Sequence, residues 1–123
     1  MPYPAQNAYT QNPTAVRSFR DIEYGAIAKT TQNLITAYKN KDSNYVGLIE
    51  ALYKNELLWS TLVADVASPG NKLPDEIKKG IIYLYKFITD HSQKIRSGIS
   101  NIDSLIEINR SILRGLKNEG AQQ

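Results

Sequence analysis

The sequence predicts an all-α fold: a four-helix antiparallel bundle-like domain with an extended N-terminal arm. Apolar residues recur at alternating steps of three and four along successive stretches, as in helices that each bury one side. The run Ser68-Pro69-Gly70-Asn71 breaks the chain near its middle, and no segment alternates with period two for long. No repeat at a fixed spacing suggests a solenoid, and a chain of 123 residues fits one core.

Residues 1–13 are rich in Asn, Gln, Tyr and Pro and read as an extended or disordered arm. The helical domain is expected over 14–117, with 118–123 a frayed tail. The first helix is expected from Thr14 to about Lys39, with Val16, Phe19, Ile27, Leu34, Ile35 and Tyr38 on one side. Lys39 and Lys41 then stand where the helix dipole favours positive charge.

The second helix has the clearest pattern, with Tyr45, Leu48, Leu52, Asn55, Trp59, Leu62 and Val66 in unbroken rhythm and Ser43 as the expected N-cap. Pro74 reopens helix geometry, and Asp75 and Glu76 occupy a first turn where the dipole favours acids. Ile77, Ile81, Leu84, Ile88, His91 and Ile95 mark the third helix, and Gly98 is placed to cap it. Ser100 and Asp103 have the spacing of a capping box, ahead of a fourth stripe made by Ile102, Leu105, Asn109, Ile112 and Leu116.

Composition narrows the function classes. There is no cysteine, which excludes disulfides, thiolate ligands and cysteine nucleophiles. The N-terminus has neither the basic residues nor the apolar run of a secretory signal. The longest apolar stretch, Gly80 to Ile88, is interrupted by Lys86 and is too short to cross a bilayer. A cytoplasmic location without membrane insertion is the expectation. A formal charge of +3 is too mild to identify a nucleic-acid ligand.

No catalytic, metal or cofactor site is expected. The single histidine, His91, lies on an apolar stripe with no ligands clustered around it in sequence, so a packed or rim role is favoured. Asp90 is adjacent, but neighbours on a helix point about 100° apart and cannot orient one another. Lys78-Lys79-Gly80 lacks both the glycine loop and the following Ser or Thr of a phosphate cradle. Lys39, Lys94, Arg96, Arg114 and Lys117 complement helix C-termini, a reading favoured over an RNA-binding stripe.

Asn55 and Asn109 occupy seam positions where apolar residues are usual, so each must find hydrogen bonds. Fixing helix register is favoured over direct partner contact. Trp59, one turn beyond Asn55, reads as core in preference to an exposed anchor.

The stretches NELLWSTLVADVASPGNKLP from Asn55 and LIEINRSILRGL from Leu105 resemble the flagellar biosynthesis regulator FlaF family. The matching residues are Asn55, Leu58-Trp59, Leu62, Asp65, the turn Asn71-x-Leu73-Pro74, the apolar run from Ile81, Ile108-Asn109-Arg110 and Gly115-Leu116. The first half is similar only in Tyr9 and a helix carrying Arg20, Glu23, Ile27 and Leu34. Ile77-Lys78-Lys79 departs from an expected Leu-Arg-Ala, with Lys79 charged where the family is small and apolar.

The resemblance implies a bacterial cytoplasmic protein required for flagellin synthesis or secretion. It would act alongside the flagellin-mRNA regulator FlbT and hold unfolded flagellin as an export chaperone. An amphipathic flagellin segment would lie in an apolar helix groove. Partner binding is accordingly expected at Asn55, Leu58, Trp59, Leu62, Asp65, Asn71, Leu73, Pro74, Asn109, Arg110 and Leu113. The alternative is a post-transcriptional regulator that contacts mRNA or an RNA-binding partner, through residues such as Arg110, Arg114, Lys78 and Lys79.

Tyr45, Ile49, Tyr53, Leu58, Val63, Tyr83, Tyr85 and Phe87 fall outside or beside the main stripes, and an exposed patch is expected among them. Such a patch could also be a self-interface, so monomer and weak dimer both stay open. The arm, through Tyr3 and Tyr9, is a further candidate to cover the groove.

Overall fold

A computed structural model describes the backbone of residues 13–121 and the side chains of residues 24–115. Four α-helices make up the described chain: α1 Pro13–Lys39, α2 Tyr45–Val66, α3 Asp75–Arg96 and α4 Asp103–Ala121. The fold is all-α and bundle-like, as the apolar rhythm predicts. The arm expected over 1–13 lies outside the described residues except for Pro13, which begins α1, where a missing N–H is harmless. Backbone in the expected tail is helical as far as Ala121.

Two helix starts differ from expectation. α2 is capped by Asn44, whose side-chain oxygen accepts the Gly47 N–H at 3.0 Å. Ser43 instead donates its hydroxyl to the Asn40 carbonyl at 3.2 Å. Gly47 allows this cap, because a Cβ there would lie 2.7 Å from Asn44 Nδ2. Ser100 and Asp103 form no capping box. The Asp103 N–H bonds the Asn101 side-chain oxygen at 2.9 Å, and the Ser100 hydroxyl meets His91 Nε2 at 3.2 Å.

Gly98 does end α3, at φ 77°, with Gly98 N–H bonding Ile95 O at 3.0 Å and Ile99 N–H bonding Lys94 O at 2.9 Å. Those two bonds are the Schellman pair that satisfies the last carbonyls of a helix.

The core joins Ile27 and Leu34 of α1, Leu48, Leu52 and Trp59 of α2, Ile88 and Ile95 of α3, and Leu105 and Ile106 of α4. α1 packs closely against both α2 and α4, and α3 packs on α2, but α3 and α4 make little contact although they are consecutive. The buried residues of α3, Ile88, Ser92 and Ile95, all lie in its C-terminal half. That half is fixed to α2 by the Tyr45 hydroxyl, which donates to the Arg96 carbonyl, and by the Arg96–Glu56 ion pair. The N-terminal half stays open: Ile77 is 50% exposed, and Ile81 and Leu84 are half-buried.

Candidate apolar binding cleft

Within the core of the bundle lies a small polar network. Asn109 Oδ1 accepts the Trp59 indole N–H at 2.9 Å, and Asn109 Nδ2 donates to Asn55 Oδ1 at 2.9 Å and Thr31 Oγ1 at 3.0 Å. The Thr31 hydroxyl in turn donates a hydrogen bond to the Ile27 carbonyl at 2.7 Å. Because an indole can only donate, Trp59 fixes which end of the Asn109 amide points where. The network ties α1, α2 and α4 together at one level, and all four side chains are buried. Asn55, Trp59 and Asn109 are therefore closed to solvent, and the bonds of Asn109 join three helices.

Above the network, the open halves of α3 and α4 leave an apolar cleft of about 410 Å³. Its floor is Trp59, Leu62 and Val66 of α2. Ile77 and Ile81 of α3 form one wall, and Ser111, Ile112 and Gly115 of α4 form the other. Leu73 and Pro74 make the lip, and Asp65 supplies the one charged side chain among the described lining residues.

The lip is held by its own turn. Asn71 accepts the Leu73 N–H at 3.0 Å, and the Lys78 ammonium donates to the Asn71 carbonyl at 2.9 Å. Asn71 Nδ2 reaches Asp65 Oδ2 at 3.4 Å, linking the turn to the end of α2. Lys79 is exposed, so its charge stands in water and not against the cleft.

Among the residues singled out in sequence, Trp59, Leu62, Asp65, Leu73 and Pro74 line the cleft, and Asn71 supports its lip. Asn55 and Asn109 lie in the network behind Trp59. Leu58 and Leu113 are half-buried against the core, Arg110 is exposed, and none of the three lines the cleft. Val66, Ile77, Ile81, Ser111, Ile112 and Gly115 do line it and were not singled out for binding. The signal for them was the pairing of two helix stripes with the small residues Ser111 and Gly115 one turn apart.

The groove also differs in make-up from the off-stripe patch. Tyr45, Tyr53, Tyr83 and Phe87 are exposed and Ile49, Leu58, Val63 and Tyr85 half-buried, yet none of them lines the cleft. Residues on the stripes build it, because the stripe of α3 has no helix opposite its first half.

His91 stacks on Phe87, with ring centroids 5.2 Å apart, and Nε2 lies 3.1 Å from the Asn101 carbonyl. These contacts, with that of the Ser100 hydroxyl to the same nitrogen, tie the α3–α4 turn to α3. Among the described residues no cluster of His, Cys, Asp or Glu could hold a metal, and no helix is long and apolar enough to cross a membrane. An apolar cleft with a single carboxylate at its edge is suited to holding an apolar side chain or a helix.

No curated protein and no solved structure matches the chain. A family model described as "Flagellar protein FlaF" matches residues 5–116, nearly the whole sequence, so the chain belongs to the FlaF family of non-catalytic flagellar regulators.

Proposed function

We propose that this protein is a cytoplasmic flagellin-binding export chaperone, holding an amphipathic flagellin segment in the cleft between α3 and α4 and working alongside FlbT. The observation that carries the reading is the unfilled stripe on the first half of α3, where Ile77 is 50% exposed beside an apolar floor. A helix end with one apolar side completes such a cleft as a missing bundle helix would, burying aliphatic side chains against Ile77, Ile81 and Ile112 above the buried floor. Membership of a flagellar family supports flagellin, the filament's own subunit, as the cargo.

Calorimetric titration with flagellin and its terminal truncations, at low and high salt, tests the reading. Apolar docking predicts saturable binding to a fragment carrying a terminal amphipathic segment, with little change on adding salt. Flagellin messenger RNA is the parallel ligand. Binding to RNA alone, weakening steeply with salt, would replace the chaperone by the post-transcriptional regulator.

A further inference from the structure

The face of α2 turned away from the cleft carries a second apolar surface. Val46, Tyr53 and Leu57 are 69%, 61% and 51% exposed and follow one another at steps of seven and four, so they form one stripe. On a 3.6-residue helix this stripe lies about half a turn round from Trp59, Leu62 and Val66. Glu50 and Lys54 are exposed on its flank, and neither forms an ion pair within the chain among the described residues.

From this pattern we infer that α2 pairs with α2 of a second copy of this chain, antiparallel about a two-fold axis beside Tyr53. The charges and the apolar residues ask for the same register. Glu50 opposite Lys54 of the other copy puts the axis at position 52, and Val46 opposite Leu57 puts it at 51.5. Two Glu–Lys pairs and two Val–Leu contacts then form together around a central pair of Tyr53 rings. Isologous contacts require such self-complementarity, and a surface stripe without it would not supply both pairings at one register. A single helix on each side buries less than the roughly 1,000 Å² of a stable interface, so the dimer is weak and depends on concentration. The cleft faces the other way and stays open in the pair, so this inference does not rest on the chaperone reading.

Sedimentation of the full chain from micromolar to millimolar concentration should show a monomer–dimer equilibrium. Glu50→Lys alone, or Lys54→Glu alone, sets two like-charge pairs across the axis and weakens dimerisation by about tenfold. The double reversal restores the opposite charges and returns the dissociation constant toward that of the parent. The cysteine-free sequence permits a geometric check. Along the helix direction, Tyr53→Cys offsets the two thiols by about 3 Å and Val46→Cys by about 18 Å, at 1.5 Å rise per residue. The first should oxidise to a covalent dimer and the second should not. A chain that stays monomeric throughout, single reversals without effect, or equal crosslinking at both positions would overturn the inference.

Discussion

Trp59 of α2 and Asn109 of α4 are joined by a 2.9 Å hydrogen bond from indole N–H to amide oxygen, although 50 residues separate them in sequence. One face of this arrangement organises the buried network, and the other underlies the cleft floor. The bundle's stability and its candidate binding surface thus meet at one side chain.

Asn109 makes bonds to Trp59, Asn55 and Thr31, whereas Asn55 makes only the one to Asn109. Replacing Asn109 by Ala strands the buried indole donor and the Asn55 oxygen, and should cost about 3–5 kcal/mol. Asn55→Ala leaves Asn109 Nδ2 its bond to Thr31, and should cost about 1–2 kcal/mol. Urea unfolding of the two variants gives the comparison, and equal losses would contradict the network's hierarchy.

Trp59 is the only tryptophan, and it is 0% exposed. Its emission should be blue-shifted in the native protein and resist quenching by iodide, then shift red on unfolding. Trp59→Phe removes the donor to Asn109 and leaves a cavity, and should cost about 2–4 kcal/mol. Native fluorescence quenched as readily as free tryptophan would show that the ring is not buried.

Two glycines should respond with opposite signs. Gly98 sits at φ 77°, so Gly98→Ala strains the α3 C-cap and should lower stability by about 1 kcal/mol. Gly115 lies inside α4 with nothing within 4 Å of an added Cβ, so Gly115→Ala should raise stability by about 0.5–1 kcal/mol. Thermal unfolding resolves both as shifts of roughly 3–6 °C for each kcal/mol in a chain of this size.

Arg96 pairs with Glu56 in a half-buried setting that anchors the end of α3 to α2. A double-mutant cycle with Arg96→Met and Glu56→Gln should return a coupling of about 1 kcal/mol that shrinks as salt is added. A coupling of zero would assign the anchoring of α3 to Tyr45 and the core alone.

Much of this was legible in the residues. The rhythm from Tyr45 to Val66 located α2, and Pro74, Asp75 and Glu76 marked where α3 begins. Seam positions at Asn55 and Asn109 required buried partners, but their bond to each other depends on α4 packing against α1, which no local pattern encodes. The α2 cap falls on Asn44, one residue beyond the expected Ser43, because the missing side chain at Gly47 leaves room for the Asn44 amide. The cleft was hidden for the same reason as the network. Ile77 and Ile81 continue a regular core stripe, and only the sparse contact of α3 with α4 turns that stripe into a surface.

The claim that the cleft holds flagellin is tested most directly by filling it. Gly115→Phe places an aromatic side chain into open space at the α4 wall without a positive-φ backbone to strain. Circular dichroism would verify that helix content is kept, and calorimetry would compare flagellin binding by the variant and the parent. The account predicts a fold intact and flagellin affinity at least tenfold weaker, about 1.4 kcal/mol. Unchanged affinity with the cleft filled would place flagellin elsewhere and contradict the account.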